Sequence, residues 1–486
     1  MSSLSAPLNY ENFKQHWQRS GEAQSDTILD VAWRRYQHVQ AEDYKTIPES
    51  NEPSLDQLKE YLELLIDRPG ISELCSKRVY LTLPASNIPW TPTGIHVKPE
   101  QPVTIFAAGR TWRSKILDLY LPPQFNLWYR IGVNGPIFNS THDTKTFNSG
   151  DGQSGELFIA NQFPGSFHDR DGGRLGGNLS VYDIAEGAFQ IGIIQWNEGM
   201  NIYEDIRAAM RHMWDTSHRL TWEGALVEAD PFGLLSIARE RLASDYFVHF
   251  FPTNWSLLWF LGVSEIFTQE QFEAVKSEQQ PDQPLEIQDP RLNDSEAISP
   301  SSEPVSRILP NDSTPMIRCI PNKNVGILQK NLAPIVPLRP TTIASWSWNI
   351  VALPSRLRED TALSHDYLSL AFEFENGRDL TYTWSWELPV GFGYWCPLAA
   401  WCDREYHVVI RSGTEQLGQW LDETRNIYQD YQDYVNAGDY SKHVPEQIVR
   451  VWLIAGNRWQ RHRGEMLIKS ILLLDEDTGG DKTVVL

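Results

Sequence analysis

The chain has 486 residues, and its 42 Lys and Arg against 63 Asp and Glu give a formal net charge of −21. This acidic balance argues against a broad nucleic-acid or anionic-membrane surface, because such partners would be repelled. The length exceeds what one hydrophobic core serves, so we expect two or three domains. Aromatic residues make up 12% of the chain, including 19 Trp. Tryptophan joins an apolar ring to an N–H donor, which suits a sugar, although most of these rings are expected in cores.

Residues 1–76 predict a helical N-terminal flank. Apolar and aromatic residues recur there at helical spacing, at Leu29, Ala32, Trp33, Tyr36 and Val39. A further helix is predicted to begin at Ser54, because Gln57 three residues later completes a capping box. We assign these helices a structural role only.

The first residues and the cysteines predict the compartment. Residues 1–17 lack a basic segment followed by an apolar one, and no uncharged apolar run is long enough to span a bilayer. We therefore expect a cytoplasmic protein with no membrane partner. The four cysteines do not have zinc-site spacing, and Cys396 and Cys402 are expected to be reduced, buried thiols.

Residues 77–200 predict an antiparallel β-sandwich. Short strands separated by Pro and Gly follow one another without intervening helices: VYLTL, VTIFAAG, NLWYRIG, GELFIA, NLSVY and FQIGIIQW. After the alternating Leu157 and Ile159, the sequence Phe-Pro-Gly at 163–165 turns the backbone. Asp169 and Asp171 then precede two glycines, a pattern in which carboxylates can converge on calcium. The alternative is a solvated hairpin loop.

The stretches TPTGIHVKPEQPVTIFAAG, LWYRIG at 127–132 and GELFIANQFPGSF at 155–167 resemble the small calcium-dependent galactophilic bacterial lectins. Over residues 90–196 the resemblance implies a jelly-roll sandwich that binds a neutral saccharide, with a backbone carbonyl near Arg113 helping to hold the cation. The ligand-binding residues it implies, together with their neighbours, are Asn161, Gln162, Ser166, Asp169 and Asp171, and the metal ligands are Asp169 and Asp171.

Two differences from the lectin pattern bear on the metal. Gln162 stands where that family has Asp, and Arg170 stands where it has Asn. Losing a carboxylate and gaining a guanidinium both lower the affinity for a divalent cation, although Asp171 can supply a substitute ligand. The interpretation therefore covers a calcium-assisted site and a metal-free one.

Between the two strand-rich parts we expect a helical connector over 201–275 and an acidic linker over 276–312. The connector prediction rests on an apolar stripe that includes Ile202 and Ile206, and on helix-start patterns at Asp230-Pro231 and Thr268–Gln271. The aromatic block at 247–262 is expected to pack in a core. The linker is rich in Pro, Ser and acidic residues and cannot bury enough apolar surface to order itself, so we place the domain boundary there.

Residues 313–486 predict a second β-sandwich with one helix from about 417 to 435. Its strands include YLSLAFEFE, LTYTWSWELP, EYHVVIRSG and VRVWLIAG. Over 313–478 the chain is similar to a bacterial family of unknown function with a galactose-binding-like sandwich. The matching residues are Trp346 and Trp348, His365-Asp366-Tyr367, Leu380–Trp384, and Arg425-Asn426 followed by Asp430. The resemblance implies no activity.

Candidate catalytic residues lie in this second sandwich. Glu373 and Glu375 are two residues apart on one predicted strand, which places their side chains on the same face at about 7 Å. That separation falls within the range of an inverting glycosidase pair, about 6.5–9.5 Å. His365 beside Asp366 could be a base with its orienting carboxylate. For both pairs the plain alternative is solvated or loop charge, and the sequence contains no known hydrolase, phosphate-loop or dinucleotide motif.

The sequence therefore predicts a mainly β protein with two jelly-roll sandwiches, a helical N-terminal flank and a helical connector. The leading functional hypothesis is a carbohydrate- or glycan-binding protein that uses a loop of the first sandwich, without a nucleic-acid or membrane partner. The alternatives are a saccharide-acting hydrolase, which would use the carboxylates of the second sandwich, and a non-catalytic interaction scaffold. The sequence makes no prediction of oligomeric state.

Overall fold

The computed structural model describes the following residues: 7–19, 25–41, 52–67, 69–86, 90–139, 144–147, 153–162, 171, 182–183, 185–206, 208–209, 212–213, 221–222, 225–226, 254–257, 259–260, 263–264, 272–275, 315–321, 323, 325–398, 401–475 and 481–486. The predicted linker over 276–312, the pattern at Asp230-Pro231 and most of the strand NLSVY lie outside them. Within the described residues, no helix has the length and apolar content to cross a bilayer.

The N-terminal part of the chain contains the predicted helices and then the strands of the first sandwich. The helices are α1 (Tyr10–Arg19), α2 (Asp26–Gln40), α3 (Leu55–Ile66) and the short α4 (Pro123–Asn126). The strands are β1 (Cys75–Pro84), β2 (Thr91–Val97), β3 (Val103–Ser114), β4 (Leu119–Leu121), β5 (Leu127–Ile131), β6 (Ile137–Asn139), β7 (Thr144–Phe147), β8 (Gly155–Asn161) and β9 (Glu186–Trp196). The predicted capping box of α3 is present, with Ser54 and Gln57 exchanging hydrogen bonds.

The later part of the chain is also mainly β. Its short strands are β10 (Thr221–Trp222), β11 (Ala225–Leu226), β12 (Trp255–Leu257), β13 (Trp259–Phe260), β14 (Val263–Ser264), β15 (Phe272–Val275) and β16 (Met316–Cys319). The remaining elements are β17 (Val325–Pro337), β18 (Thr342–Ala352), β19 (Leu368–Phe374), β20 (Asp379–Ser385), β21 (Gly393–Trp395), β22 (Glu405–Ser412), β23 (Leu421–Asn426), α5 (Ile427–Asp430), β24 (Gln447–Gly456), β25 (Glu465–Asp475) and β26 (Asp481–Val484). A 3-10 turn covers Ser72–Leu74, and π-helical turns cover Ile202–Ile206 and Tyr431–Val435.

The first sandwich packs a five-stranded sheet on a four-stranded one. The larger sheet has the order β1-β9-β3-β4 with β7 also paired to β3, and the smaller has the order β2-β8-β5-β6. Each strand alternates, so that one row of side chains from each sheet, such as Ile105 and Leu157, enters the shared core. Helix α3 covers the other face of the larger sheet, where Leu62 packs near Phe106 and Trp196.

The second sandwich is larger and includes a parallel strand pair. Its sheets have the orders β12-β17-β24-β19-β20-β22-β21 and β15-β16-β25-β18-β23, with β26 added to β25. The core between them contains Trp346, Trp348 and Trp384. Strands β20 and β22 run parallel, whereas every other pairing among the described strands is antiparallel. The second sandwich is therefore not purely antiparallel, because the chain crosses over through β21 before β22 pairs with β20.

Two predicted helical regions contain strands. β12 and β15 precede the linker, yet β12 pairs with β17 and β15 pairs with β16 of the second sandwich. The helical-connector prediction is thus wrong at these two strands and at the short strands β10, β11, β13 and β14, and the second sandwich begins before the predicted boundary. The predicted helix from 417 is also wrong in its first half, because β23 pairs with β18 and the sheet supplies its backbone hydrogen bonds. Only the part after Asn426 is helical.

The two sandwiches contact each other through α1, α2 and three arginines. One hydrophobic cluster joins Phe13 and Tyr36 of these helices to Leu119 of the first sandwich and Trp459 of the second. Arg35 of α2 is 3% exposed and donates to carbonyl oxygens of Leu117, Asp118, Leu363 and Trp459 at 2.7, 3.2, 3.1 and 2.5 Å. From the second sandwich, Arg458 and Arg461 donate to Tyr120 and Asp118, respectively. Helices α1 and α2 therefore pack against both sandwiches, whereas α3 packs against the first.

Candidate functional site

The outward side of the four-stranded sheet has a half-buried aromatic surface. Leu127, Tyr129 and Ile131 of β5 point into the core, so Trp128 and Arg130 point outward. Arg130 pairs in register with Phe158 of β8. Its guanidinium carbon lies 4.5 Å from the ring centroid of Trp90 and 5.8 Å from that of Phe158. We call Trp90, Trp128, Arg130 and Phe158 the aromatic–arginine face.

The Arg130 guanidinium lies between rings and has unused hydrogen-bonding capacity. Burial lowers the pKa of Arg130. Its Nε atom is buried and has no hydrogen-bond partner among the described residues. A buried donor of this kind favours an acceptor from a ligand or an ordered water. The side chain is held in position by cation–π contacts, which leave its N–H groups available for hydrogen bonding.

The start of the predicted ligand loop is fixed to this face. Trp128 donates its indole N–H to the carbonyl oxygen of Gln162 at 3.2 Å. Gln162 also donates its backbone N–H to Asn126 at 2.8 Å and accepts from the Tyr182 hydroxyl at 3.4 Å. The Asn161 amide donates to the Ala85 carbonyl at 3.1 Å. Asn161 and Gln162, both buried, therefore position the loop, and most of their polar atoms are used within the sandwich.

The predicted calcium ligands fall largely beyond what the structure describes. Ser166 and Asp169 lie outside the described residues, and Asp171 is exposed in a turn. Arg113, near which the resemblance places a carbonyl ligand, lies at the end of β3. The calcium hypothesis stays a prediction.

Of the predicted inverting pair, Glu373 lies within a strand and Glu375 does not. β19 ends at Phe374, so Glu375 lies in the following turn, where it accepts from the backbone N–H groups of Glu446 and Gln447 at 2.6 and 2.7 Å. Glu373 is buried and forms a two-point ion pair with Arg450. Burial raises the pKa of Glu373, and Arg450 opposes that rise. The prediction placed both carboxylates on one strand, but β19 ends at Phe374, one residue before Glu375.

His365 and Asp366 also have separate partners and do not form a base with its orienting carboxylate. The carboxylate of Asp366 accepts from the backbone N–H groups of Trp459, at 2.9 Å, and of Gln460. The Nδ1 atom of His365 lies 2.6 Å from the carbonyl oxygen of Glu359. Since a carbonyl can only accept, Nδ1 carries the proton and Nε2 carries the lone pair.

The free nitrogen of His365 points into a buried group of potential metal ligands. We call His365, Cys396, Glu405 and His407 the His–Cys–Glu group; one ligand atom from each lies within 4.8 Å of all the others. The Sγ atom of Cys396 is 3.3 Å from His365 Nε2, and His407 Nε2 is 3.4 Å from Glu405 Oε1. The group lies on the face of the seven-stranded sheet that points away from the main core, at the ends of β19, β21 and β22.

Burial and neighbouring charges set the protonation states in this group. Burial lowers the pKa of His365 to about 3, so its imidazole is neutral at neutral pH. Burial also raises the pKa of the Cys396 thiol well above its usual value. Desolvation acts to raise the pKa of Glu405, but attraction to His407 outweighs it and holds that pKa well below the usual range. Tyr367 donates to Glu405 Oε1 at 2.8 Å.

Sequence reasoning selected only His365 from this group. Zinc-site spacing is recognised in sequence by several cysteines close together, whereas this group contains one cysteine and residues from three separate parts of the chain. Sequence reasoning also expected both Cys396 and Cys402 to be buried, but Cys402 is exposed. The available signal was Glu405-x-His407 on one strand, because alternate residues point to the same face.

Comparison with known proteins gives a family without an assigned function. Residues 303–471 match the model of a family described as "Protein of unknown function (DUF3047)". This agrees with the resemblance found for the second sandwich. No curated protein matches the chain.

Carbohydrate-binding and glycoside-hydrolase-associated proteins are among the solved structures similar to this chain. A PllA-like lectin, the EclA N-terminal domain, is 17% identical and has a TM-score of 0.18, with 24% of this chain and 95% of the other covered. The xyloglucanase domain of NopAA from Sinorhizobium fredii, in complex with cellobiose, is 8% identical and has a TM-score of 0.20, with 34% of this chain and 89% of the other covered. The CBM22 tandem domain of Paenibacillus barcinonensis Xyn10C is 10% identical and has a TM-score of 0.21, with 81% of this chain and 82% of the other covered. At these TM-scores no site or activity transfers to this chain.

Proposed function

We propose that this protein binds a neutral saccharide at the aromatic–arginine face of the first sandwich, next to the 161–173 loop. The observation that carries the proposal is the convergence of three half-buried aromatic rings and an incompletely paired guanidinium on one outward sheet face. Sugar rings offer C–H groups that pack on an indole or phenyl ring and hydroxyls that accept from a guanidinium. The face supplies both kinds of contact.

The arrangement of Trp128 links this face to the predicted loop. Its indole is fixed by the Gln162 carbonyl, so the ring already has one orientation and loses little conformational entropy when a ligand binds. Arg130 is similarly held by Trp90 and Phe158. A preorganised surface of this type lowers the cost of ordering side chains when a ligand binds, and we propose a binding protein on that ground.

Titration with a methyl galactoside, followed by calorimetry and by tryptophan fluorescence, tests the proposal. We expect saturable binding that is lost or at least tenfold weaker in Trp128→Ala and in Arg130→Gln. Trp420→Ala is the matched control, because Trp420 is a partly exposed tryptophan of the second sandwich under Lys469 and should leave binding unchanged. A glycan array extends the search to other neutral sugars. Absence of binding on the array, or unchanged binding in both face variants, would contradict the proposal.

The same titration examines the role of calcium. If Asp169 and Asp171 hold calcium, EDTA should abolish galactoside binding and Asp169→Asn should remove the calcium-dependent rise in melting temperature. We expect any such site to be weak, on the order of 10⁻⁴–10⁻³ M, because of Gln162 and Arg170. Binding that persists in EDTA identifies the metal-free form of the same function.

A further inference from the structure

The His–Cys–Glu group of the second sandwich combines four donors of the type that transition metals use. It offers two imidazole nitrogens, one thiol sulfur and one carboxylate oxygen, and the exposed fraction of each residue is 4% or less. Ordinary structural reasons for burying such groups, namely ion pairs and hydrogen bonds, account for only part of the arrangement.

The hydrogen bonds among the described residues do not account for the burial of His407. Its ring is fully buried and stacks on Tyr394 at 4.7 Å, and neither ring nitrogen has a hydrogen-bond partner among the described residues. Glu405 Oε1 lies 3.4 Å from Nε2, but it cannot also serve Nδ1, which has no hydrogen-bond partner among the described residues. Buried imidazole nitrogens normally have partners, so the geometry favours a bound ligand at this position.

The distances match the edges of a tetrahedron around a metal ion. Zinc bonds nitrogen and oxygen at about 2.0–2.2 Å and sulfur at about 2.3 Å, so tetrahedral ligand–ligand separations are about 3.3–3.7 Å. The Cys396–His365 and Glu405–His407 separations of 3.3 and 3.4 Å fall in this range. The other pairs lie within 4.8 Å, which small side-chain rotations close.

Neighbouring groups orient these ligands as they do in metal sites. The Nδ1–H of His365 donates to the Glu359 carbonyl, which turns Nε2 toward the centre, and Tyr367 donates to Glu405. Such outer hydrogen bonds fix the tautomer and direction of metal ligands. The charges also balance, because a divalent cation with one thiolate, one carboxylate and two neutral imidazoles is electrically neutral, which favours burial.

We propose that His365, Cys396, Glu405 and His407 bind a zinc ion that has a structural role in the second sandwich. Zinc accepts mixed nitrogen, sulfur and oxygen donors in a tetrahedron, and a site with four protein ligands and no open position is of the structural type. The ion would tie the segment before β19 and the loop between β21 and β22 to the sheet. This site is independent of the saccharide face.

Metal analysis of the full-length protein tests the proposal directly. After refolding with zinc and removal of free metal, mass spectrometry of the elements should find a single zinc ion per chain. Cys396→Ser and His407→Gln should each lose most of it. Cys402→Ser is the matched control, since it removes an exposed thiol from the same loop and should retain the full zinc content.

Cobalt substitution covers the case in which the ligand variants do not fold. The wild-type protein loaded with Co²⁺ should show visible bands of tetrahedral cobalt and a near-ultraviolet thiolate-to-cobalt band. A strong chelator should remove the zinc and lower the melting temperature of the wild-type protein, and added zinc should restore it. Wild-type protein that takes up neither zinc nor cobalt, or a cobalt derivative without the thiolate band, would overturn the proposal.

Discussion

Replacement of Arg35 by alanine removes a buried guanidinium that joins the two sandwiches. Four of its hydrogen bonds end on carbonyl oxygens of Leu117, Asp118, Leu363 and Trp459, three of them at buried positions. A hydrogen bond from a charged donor is worth about 1.5–3 kcal/mol, but part of the loss is offset because the cation itself no longer has to be buried. We therefore expect Arg35→Ala to lower the free energy of unfolding by about 3–5 kcal/mol, a large share of the usual 5–15 kcal/mol.

The adjacent arginine provides the control for this measurement. Arg34 makes a two-point ion pair with Glu387 at 2.7 and 2.6 Å, but both side chains are partly exposed, so Arg34→Ala should cost less than about 1 kcal/mol. Arg35→Lys keeps the charge but not the planar fork and should fall between the two. Urea unfolding, followed by tryptophan fluorescence and far-ultraviolet circular dichroism, measures all three variants. Equal midpoints for Arg35→Ala and Arg34→Ala would refute the reasoning.

Three further predictions concern pH, cleavage and packing. Burial raises the pKa of Glu359 to about 8, above its unfolded value near 4.5. Between these values the folded state holds a proton that the unfolded state has lost. The free energy of unfolding should therefore fall as the pH rises from about 5 to 8, by up to about 1.4 kcal/mol per pH unit. Unfolding titrations of Glu359→Gln should show a flatter profile, and an unchanged slope counts against the assignment. A protease should cut within 276–312 and give two bands on a denaturing gel. The nicked chain should still elute as one species in gel filtration, because β12 and β15 remain paired across the cut. Separate elution of the two fragments would argue against those pairings. Gly192→Ala should cost about 1–3 kcal/mol in urea unfolding, because its new Cβ would lie 2.5 Å from Leu62, and a neutral effect would mean that α3 shifts freely.

Most of the fold could be predicted from the sequence where the residues within a strand or helix themselves carry its pattern. The strands β3, β8 and β9 and the capping box at Ser54 depend on local residues, and the structure confirms them. The errors at β12, β15 and β23 have a common cause. Each is an edge strand whose backbone partner comes from a distant part of the chain, so tertiary pairing overrode a local helical pattern.

The candidate sites were harder to predict than the fold. The lectin resemblance directed attention to the first sandwich but did not identify Arg130, whose role comes from contacts with Trp90 and Phe158. In the second sandwich, spacing paired Glu373 with Glu375, whereas the structure gives each carboxylate its own partner. The residues of the His–Cys–Glu group are brought together only by the order of β19, β20, β22 and β21, which one sequence does not reveal.

The second sandwich is not a continuous stretch of the chain, and this affects which fragments can be expressed. A product that starts at residue 303, where the family match begins, and runs to residue 486 lacks β12 and β15, so β17 and β16 each become an outermost strand with a free row of backbone N–H and C=O groups. Open edges of this kind template pairing with other chains and promote aggregation. A fragment that starts at Asn254 retains both covering strands, and we expect it to stay monodisperse where the shorter product precipitates.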